Sequence, residues 1–152
     1  MKAVASTVLG LGLAACAGFP APETMPAPKV IESVHDFKNT IERLDAAVSK
    51  RPLKVFSVID HAGGAASIGA SLAPSRLLIF GNPEVGTPFI QANPAFGHEL
   101  PLKILVFTDT EGTKVVYPDI VALSAAYGID PEEAPVEQVA TSLQAIVEEA
   151  SR

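Results

Sequence analysis

Residues 76–88, Arg-Leu-Leu-Ile-Phe-Gly-Asn-Pro-Glu-Val-Gly-Thr-Pro, constrain the fold more than any other stretch. Leu77, Leu78, Ile79 and Phe80 are apolar without alternation, and the run stops at Gly81. So short a run, bounded by turn formers, suits a strand covered on both faces better than a helix. Asn82 is pushed towards extended geometry by the proline after it, and Pro83 has its φ fixed. Gly86 then leads to Thr87-Pro88, which reads as an N-cap with proline at the first helical position. The segment is predicted as strand, stiff loop, helix start. A helix start carries unpaired N–H groups and a partial positive charge, so an anion could sit there. Glu84 opposes that use, and the loop has neither a Gly-x-Gly-x-x-Gly nor a Walker pattern.

Around this stretch the chain alternates strand and helix signals. Val30–Val34 reads as a short first strand, and Asp36 as the cap of a helix with Phe37, Ile41, Leu44 and Val48 on one side. Lys54–Ile59 reads as a strand closed by Asp60-His61. Ala65, Ile68, Gly69 and Leu72 then suit a small amphipathic helix ended by Pro74. A further strand over 103–108 turns at Asp109-Thr110-Glu111-Gly112 and returns as Thr113–Tyr117. Asp119 opens a helix that Gly128 ends, and Val136, Val139, Leu143, Ile146 and Val147 mark a last one. The expected class is α+β: one domain with a mixed, mostly antiparallel sheet and helices packed on one face. The uncovered face would leave part of the run 77–80 as a homodimer surface.

The N-terminus reads as an address. Lys2 precedes an apolar stretch, Ala3–Ala15, too short to span a bilayer and of signal-peptide size. It ends in Leu13-Ala14-Ala15-Cys16, which resembles a bacterial lipobox. That resemblance implies cleavage before Cys16 and acylation of this cysteine, palmitate among the chains attached. Residues 1–15 are then a lipoprotein signal peptide, 16–29 a tether and 30–152 the folded domain. Four of the chain's 13 prolines fall in this tether, which suits an extended spacer. Ala17 after the cysteine resembles outer-membrane sorting signals, so the domain is expected to face the periplasm, held to the membrane through lipid on Cys16. Because Cys16 is the only cysteine, no internal disulfide can form and the core must supply the stability.

The formal charge of −6, one unit more acidic once Lys2 leaves with the leader, argues against nucleic acid as a partner. Metal is not expected, since none of the three histidines has a partner at ligand spacing. No cofactor motif is present.

Several separated stretches together are similar to one family. Val-Ile-Asp-His-Ala (58–62), Leu-Leu-Ile-Phe-Gly-Asn-Pro (77–83), Gly-Thr-Pro (86–88), Gln91 and Leu-Pro-Leu-Lys (100–103) resemble domain of unknown function 302, over about 30–128. The resemblance implies an α+β fold, often dimeric, and no established activity. His98-Glu99 stands where relatives usually carry an aliphatic residue and an aspartate.

The candidate site joins three segments. Asp60 and His61 close a strand beside Gly63-Gly64, and His61 could act as acid or base near neutral pH. Asp60 could equally cap the next helix. Asn82, Thr87, Gln91 and Glu99 are the ligand-binding candidates. Lys103 is a catalytic candidate, or a structural partner of Glu99 or Asp60. If residues 60–61, 82–88 and 99–103 share one rim of the sheet, a small ligand is expected there. The leading reading is a lipid-anchored periplasmic domain binding a small ligand or a protein partner. The alternative is a hydrolase- or lyase-like enzyme with His61 as acid/base. A third is an envelope accessory protein that meets its partner through the apolar sheet face.

Overall fold

The structure, a computed structural model, describes residues 24–152. The leader, Cys16 and the first part of the tether lie outside the described residues. The elements run β1 (Lys29–Glu32), α1 (Phe37–Ser49), β2 (Lys54–Asp60), α2 (His61–Ser67), β3 (Ser75–Gly81), α3 (Pro83–Ala92) and a 3-10 helix (Pro94–His98). β4 (Leu102–Asp109), β5 (Gly112–Tyr117), α4 (Ile120–Ala126) and α5 (Val136–Ser151) complete them. The strands form one sheet in the order β1-β5-β4-β3-β2. Every neighbouring pair is antiparallel, so the expected mixed sheet is corrected to a fully antiparallel one. The physical reason is that each strand from β3 to β5 runs back antiparallel beside its predecessor, whether the link is a tight turn or a helix, and β1 pairs antiparallel with β5.

Alternation along the strands sorts the side chains. One face carries Leu78, Phe80, Ile104, Val106 and Val115, all buried with Leu44 and Val48 of α1 and Leu143, Ile146 and Val147 of α5. The run 77–80 is therefore covered on one face, not both. Leu77 and Ile79 point the other way and are half-buried. On that open face the register lines up Val30, Val116, Leu105, Leu77 and Ile59 straight across all five strands.

Two local expectations are corrected. Thr87-Pro88 does not start a helix: α3 starts earlier, at Pro83, with Asn82 as N-cap accepting the Glu84 N–H at 2.9 Å. Asn82-Pro83 is the same cap-plus-proline signal, and it comes first in the chain. Pro88 lies inside the helix, and the Thr87 hydroxyl donates back to the Pro83 carbonyl at 2.7 Å. Likewise α2 begins at His61 because Asp60 caps it, accepting the Gly63 N–H at 2.9 Å. Its chain direction changes at Gly69, whose φ of +75° suits glycine, so Ile68 and Leu72 are left exposed.

Candidate functional site

A half-open cavity of about 440 Å³ lies over the junction of β3 and β4. Phe80 and Gly81 of β3 and Leu102 of β4 form its floor. Val85, Phe89 and Ile90 of α3 make one wall, and Val139, Leu143 and Ile146 of α5 the facing wall. Leu53 and Phe56, entering and within β2, close a third side. Leu100 and Pro101, joined by a cis peptide bond, sit between wall and floor. Phe89 is held rigid from behind: its ring stacks on Phe96 at 5.1 Å, and Phe96 meets Tyr127 edge-on at 5.2 Å.

Polar groups are few and lie at the margin: Arg51, Gln138, Ser142, Asn82 and Thr87. Arg51 is the one ionisable side chain of the lining. Its guanidinium donates to Glu149 and to the Ala47 carbonyl, both at 2.6 Å. The hydrogen bond from Arg51 in turn holds the Glu149 carboxyl below the usual carboxylate range, against a smaller upward push from burial. A lining so poor in titratable groups can enclose an apolar body and orient a single polar end.

The residues chosen from the sequence divide between three places. Asn82 and Thr87 border the cavity, but the Asn82 carbonyl oxygen caps α3 and the Thr87 hydroxyl serves the helix backbone. Lys103 and Glu99 lie by a smaller depression with Leu77, Leu105 and Val116. Lys103 opposes Ile79 on the open face, whereas its neighbour Leu102 opposes Phe80 on the helix face. Strand alternation thus parts Lys103 from the cavity although residues 82–88 and 99–103 do share one end of the sheet. Glu99 accepts from the Tyr127 hydroxyl at 2.7 Å rather than pairing with Lys103. That hydrogen bond, with burial second, raises the Tyr127 phenol above its ordinary value. Gln91 is exposed on α3. Asp60 and His61 are at the other end of the sheet, because Asp60 opposes Arg76 at the start of β3. The length of β3 separates them from Asn82, roughly 20 Å at about 3.4 Å per residue. The three segments therefore do not converge, and His61 has no place in the cavity. Among the described residues no group of three His, Cys, Asp or Glu side chains could hold a metal ion.

Sequence reasoning missed Arg51, Phe56, Gln138 and Ser142. A signal for two of them exists: Gln138 and Ser142 are four apart and border the apolar stripe of Val139, Leu143 and Ile146. Polar residues along the edge of a core stripe read as ordinary helix surface until a cavity is seen beside them.

These features define a class: an α+β domain with a helix-backed antiparallel sheet and an apolar cavity between two of its helices. The chain belongs to the family described as domain of unknown function DUF302, which matches residues 29–150 and so includes α5. A crystal structure of an uncharacterized conserved DUF302 protein from Bacillus stearothermophilus shares the fold, with a TM-score of 0.70 and 20% identity. That likeness covers 82% of this chain and 98% of the other. The chain is also 39% identical over 82 residues to proteins named fluoride-specific ion channel FluC 1 in Brucella suis biovar 1 (strain 1330) and Brucella abortus biovar 1 (strain 9-941). The matched stretch is 54% of this chain and spans 32% and 30% of those relatives.

Proposed function

We propose that this chain is a lipid-anchored envelope domain that binds a small, mostly apolar ligand in the cavity between α3 and α5. One observation carries the reading: a cavity of about 440 Å³, within the size range of small-molecule sites, whose walls are apolar and whose few polar groups sit at its margin. The ligand class that fits is amphipathic, with a hydrocarbon or aromatic body inside and one polar end near Ser142, Gln138 and the Arg51–Glu149 pair. This favours binding over the acid/base reading, since His61 is at the far end of the sheet. The anchor through Cys16, the tether and the periplasmic location rest on the lipobox resemblance and the proline-rich stretch. Native mass spectrometry of the full chain purified in mild detergent tests the cavity. A bound small molecule, lost in Ser142→Phe, is expected; an adduct that persists unchanged in Ser142→Phe contradicts it.

The Brucella relatives favour a second reading, that of a partner module for a channel. The shared stretch is under a third of those proteins. Among the described residues no helix is long and apolar enough to cross a membrane, so the module would accompany a pore without forming it. Loss of the gene would then raise sensitivity to fluoride, and unchanged sensitivity counts against this reading.

A further inference from the structure

β2 is an outer strand of the sheet, and all seven of its residues are exposed. Val55 and Val58 stand across from Phe80 and Leu78, which are buried, yet both are exposed, so the helix layer stops short of β2. With Phe56 and Ile59 they make four large apolar side chains at 39–45% exposure. Beyond the strand, α2 buries none of its residues, and Ile68 and Leu72 are exposed, Ile68 at 83%. In residues 55–73 the only charged side chain is Asp60, and its carboxylate is engaged as the cap of α2. A chain with 17 acidic and 11 basic residues thus has a long exposed stretch that is apolar and nearly uncharged. Such patches mark surfaces that meet another apolar surface. At the entry to β2 the character changes. Lys50, Arg51 and Lys54 place three cations within five positions. Glu149 pairs with Lys50 at 3.4 Å and with Arg51 at 2.6 Å, which offsets one of the charges. Lys54 has no carboxylate partner among the described residues, and its ammonium lies 5.3 Å from the centre of the Phe56 ring.

We propose that this edge docks on the phospholipid surface to which the N-terminus is held, with the apolar side chains of β2 and with Ile68 and Leu72 inserted among the headgroups. Three observations select lipid as the occupant. An aromatic ring beside a long-stemmed cation suits a bilayer interface, where ring and stem sit in the apolar layer and the ammonium reaches phosphate. The cations of residues 50–54 give the edge the sign that phosphate groups attract, in a chain whose formal charge is −6. The third observation is reach. The twelve residues 17–28 can span roughly 37 Å at about 3.1 Å per residue of a proline-rich spacer. They enter the fold at β1, four strand spacings from β2, which is roughly 19 Å at about 4.8 Å each. An N-terminus held at the membrane therefore leaves the β2 edge free to touch it. The free N–H and C=O groups of the edge stay at the level of the hydrated headgroups, since hydrocarbon could not satisfy them. Phe56 also walls the cavity, so docking sets the cavity beside the lipid from which an amphipathic ligand would come. The docking rests on the membrane-held N-terminus of the proposed function and does not require the cavity to hold a ligand.

The test uses the full chain carrying Cys16→Ser and an N-terminal hexahistidine, bound to phosphatidylcholine vesicles that contain a nickel-chelating lipid. The tag holds the N-terminus at the membrane whether or not Cys16 is acylated, so the docking and the anchor fail separately. A bimane label is placed through Ile68→Cys or, just past β1 at the opposite edge, through Val34→Cys, a position 77% exposed. With brominated acyl chains in the vesicles, the label at 68 should be quenched severalfold more than the label at 34, because docked apolar faces lie about 5–10 Å into the headgroup boundary. Val55→Glu with Val58→Glu should bring quenching at 68 down to that at 34, with an unchanged far-ultraviolet circular dichroism spectrum. If that double variant misfolds, the comparison of 68 with 34 in the parent chain decides. Equal quenching at the two positions, or none at either, overturns the proposal. So does a label at 68 that is shielded from aqueous iodide without being quenched by bromolipid, the mark of a protein cover, a second copy included.

Discussion

At the scale of single residues, the polar side chains that look most like ligands in the sequence are mostly at work on the backbone. Asp60 and Asn82 each cap a helix, and Thr87 donates to a carbonyl one turn back. A cap and a ligand-binding group share the same chemistry, so the sequence alone cannot separate them; only the position of the nearest N–H does. Glu99 and Tyr127 show the reverse case, a pairing across 28 positions that no local pattern announces. Here the sign of the pH dependence follows from the raised phenol. The unfolded chain loses this proton first as pH rises through about 10, so the contribution is whole below that pH and is lost as pH climbs through the higher folded value. Tyr127→Phe should therefore lower stability by about 1 kcal/mol near neutral pH and flatten its alkaline fall. Urea titrations at several pH values measure both; an alkaline limb identical in the two proteins would show that the Tyr127–Glu99 bond does not contribute.

Among elements, periodicity located every strand and most helices, because the apolar stripes of α1 and α5 and the hairpin at 109–112 are local features. What periodicity could not settle was which of two cap-plus-proline signals, Asn82-Pro83 or Thr87-Pro88, begins α3. The earlier one wins, and Glu84 in its first turn adds a charge that suits the helix dipole. Asn82→Ala should cost about 1 kcal/mol, as for other N-cap losses, whereas Thr87→Val should cost less than half of that. Equal losses in denaturant midpoint would place the cap at Thr87 after all. Strand order was equally illegible. Asp60 and Asn82 both follow strands, yet β2 and β3 run in opposite directions, so their closing residues lie at opposite ends of the sheet. For the same kind of reason Lys103, one residue from the cavity floor at Leu102, faces away from it.

For the whole molecule, the fold class was readable and the site was not. The cavity gathers residues 51–56, 80–90, 100–102 and 138–146, which meet only once the sheet is assembled and α5 is laid across it. The proposed membrane anchor rests on the lipobox resemblance at Cys16, and that proposal is open to a direct check. The wild-type chain should sediment with membranes and take up labelled palmitate, while Cys16→Ser should do neither; a variant that stays with membranes and carries label contradicts the anchor. Binding in the cavity is the central claim, and isothermal titration calorimetry with decanoate and with 1-decanol tests it most directly. Saturable one-site binding of at least one of them, with a negative heat-capacity change from buried apolar surface, should occur in the wild-type chain and in Lys103→Ala and vanish in Ser142→Phe. No heat in any of the three proteins, or equal binding in Ser142→Phe, would contradict it.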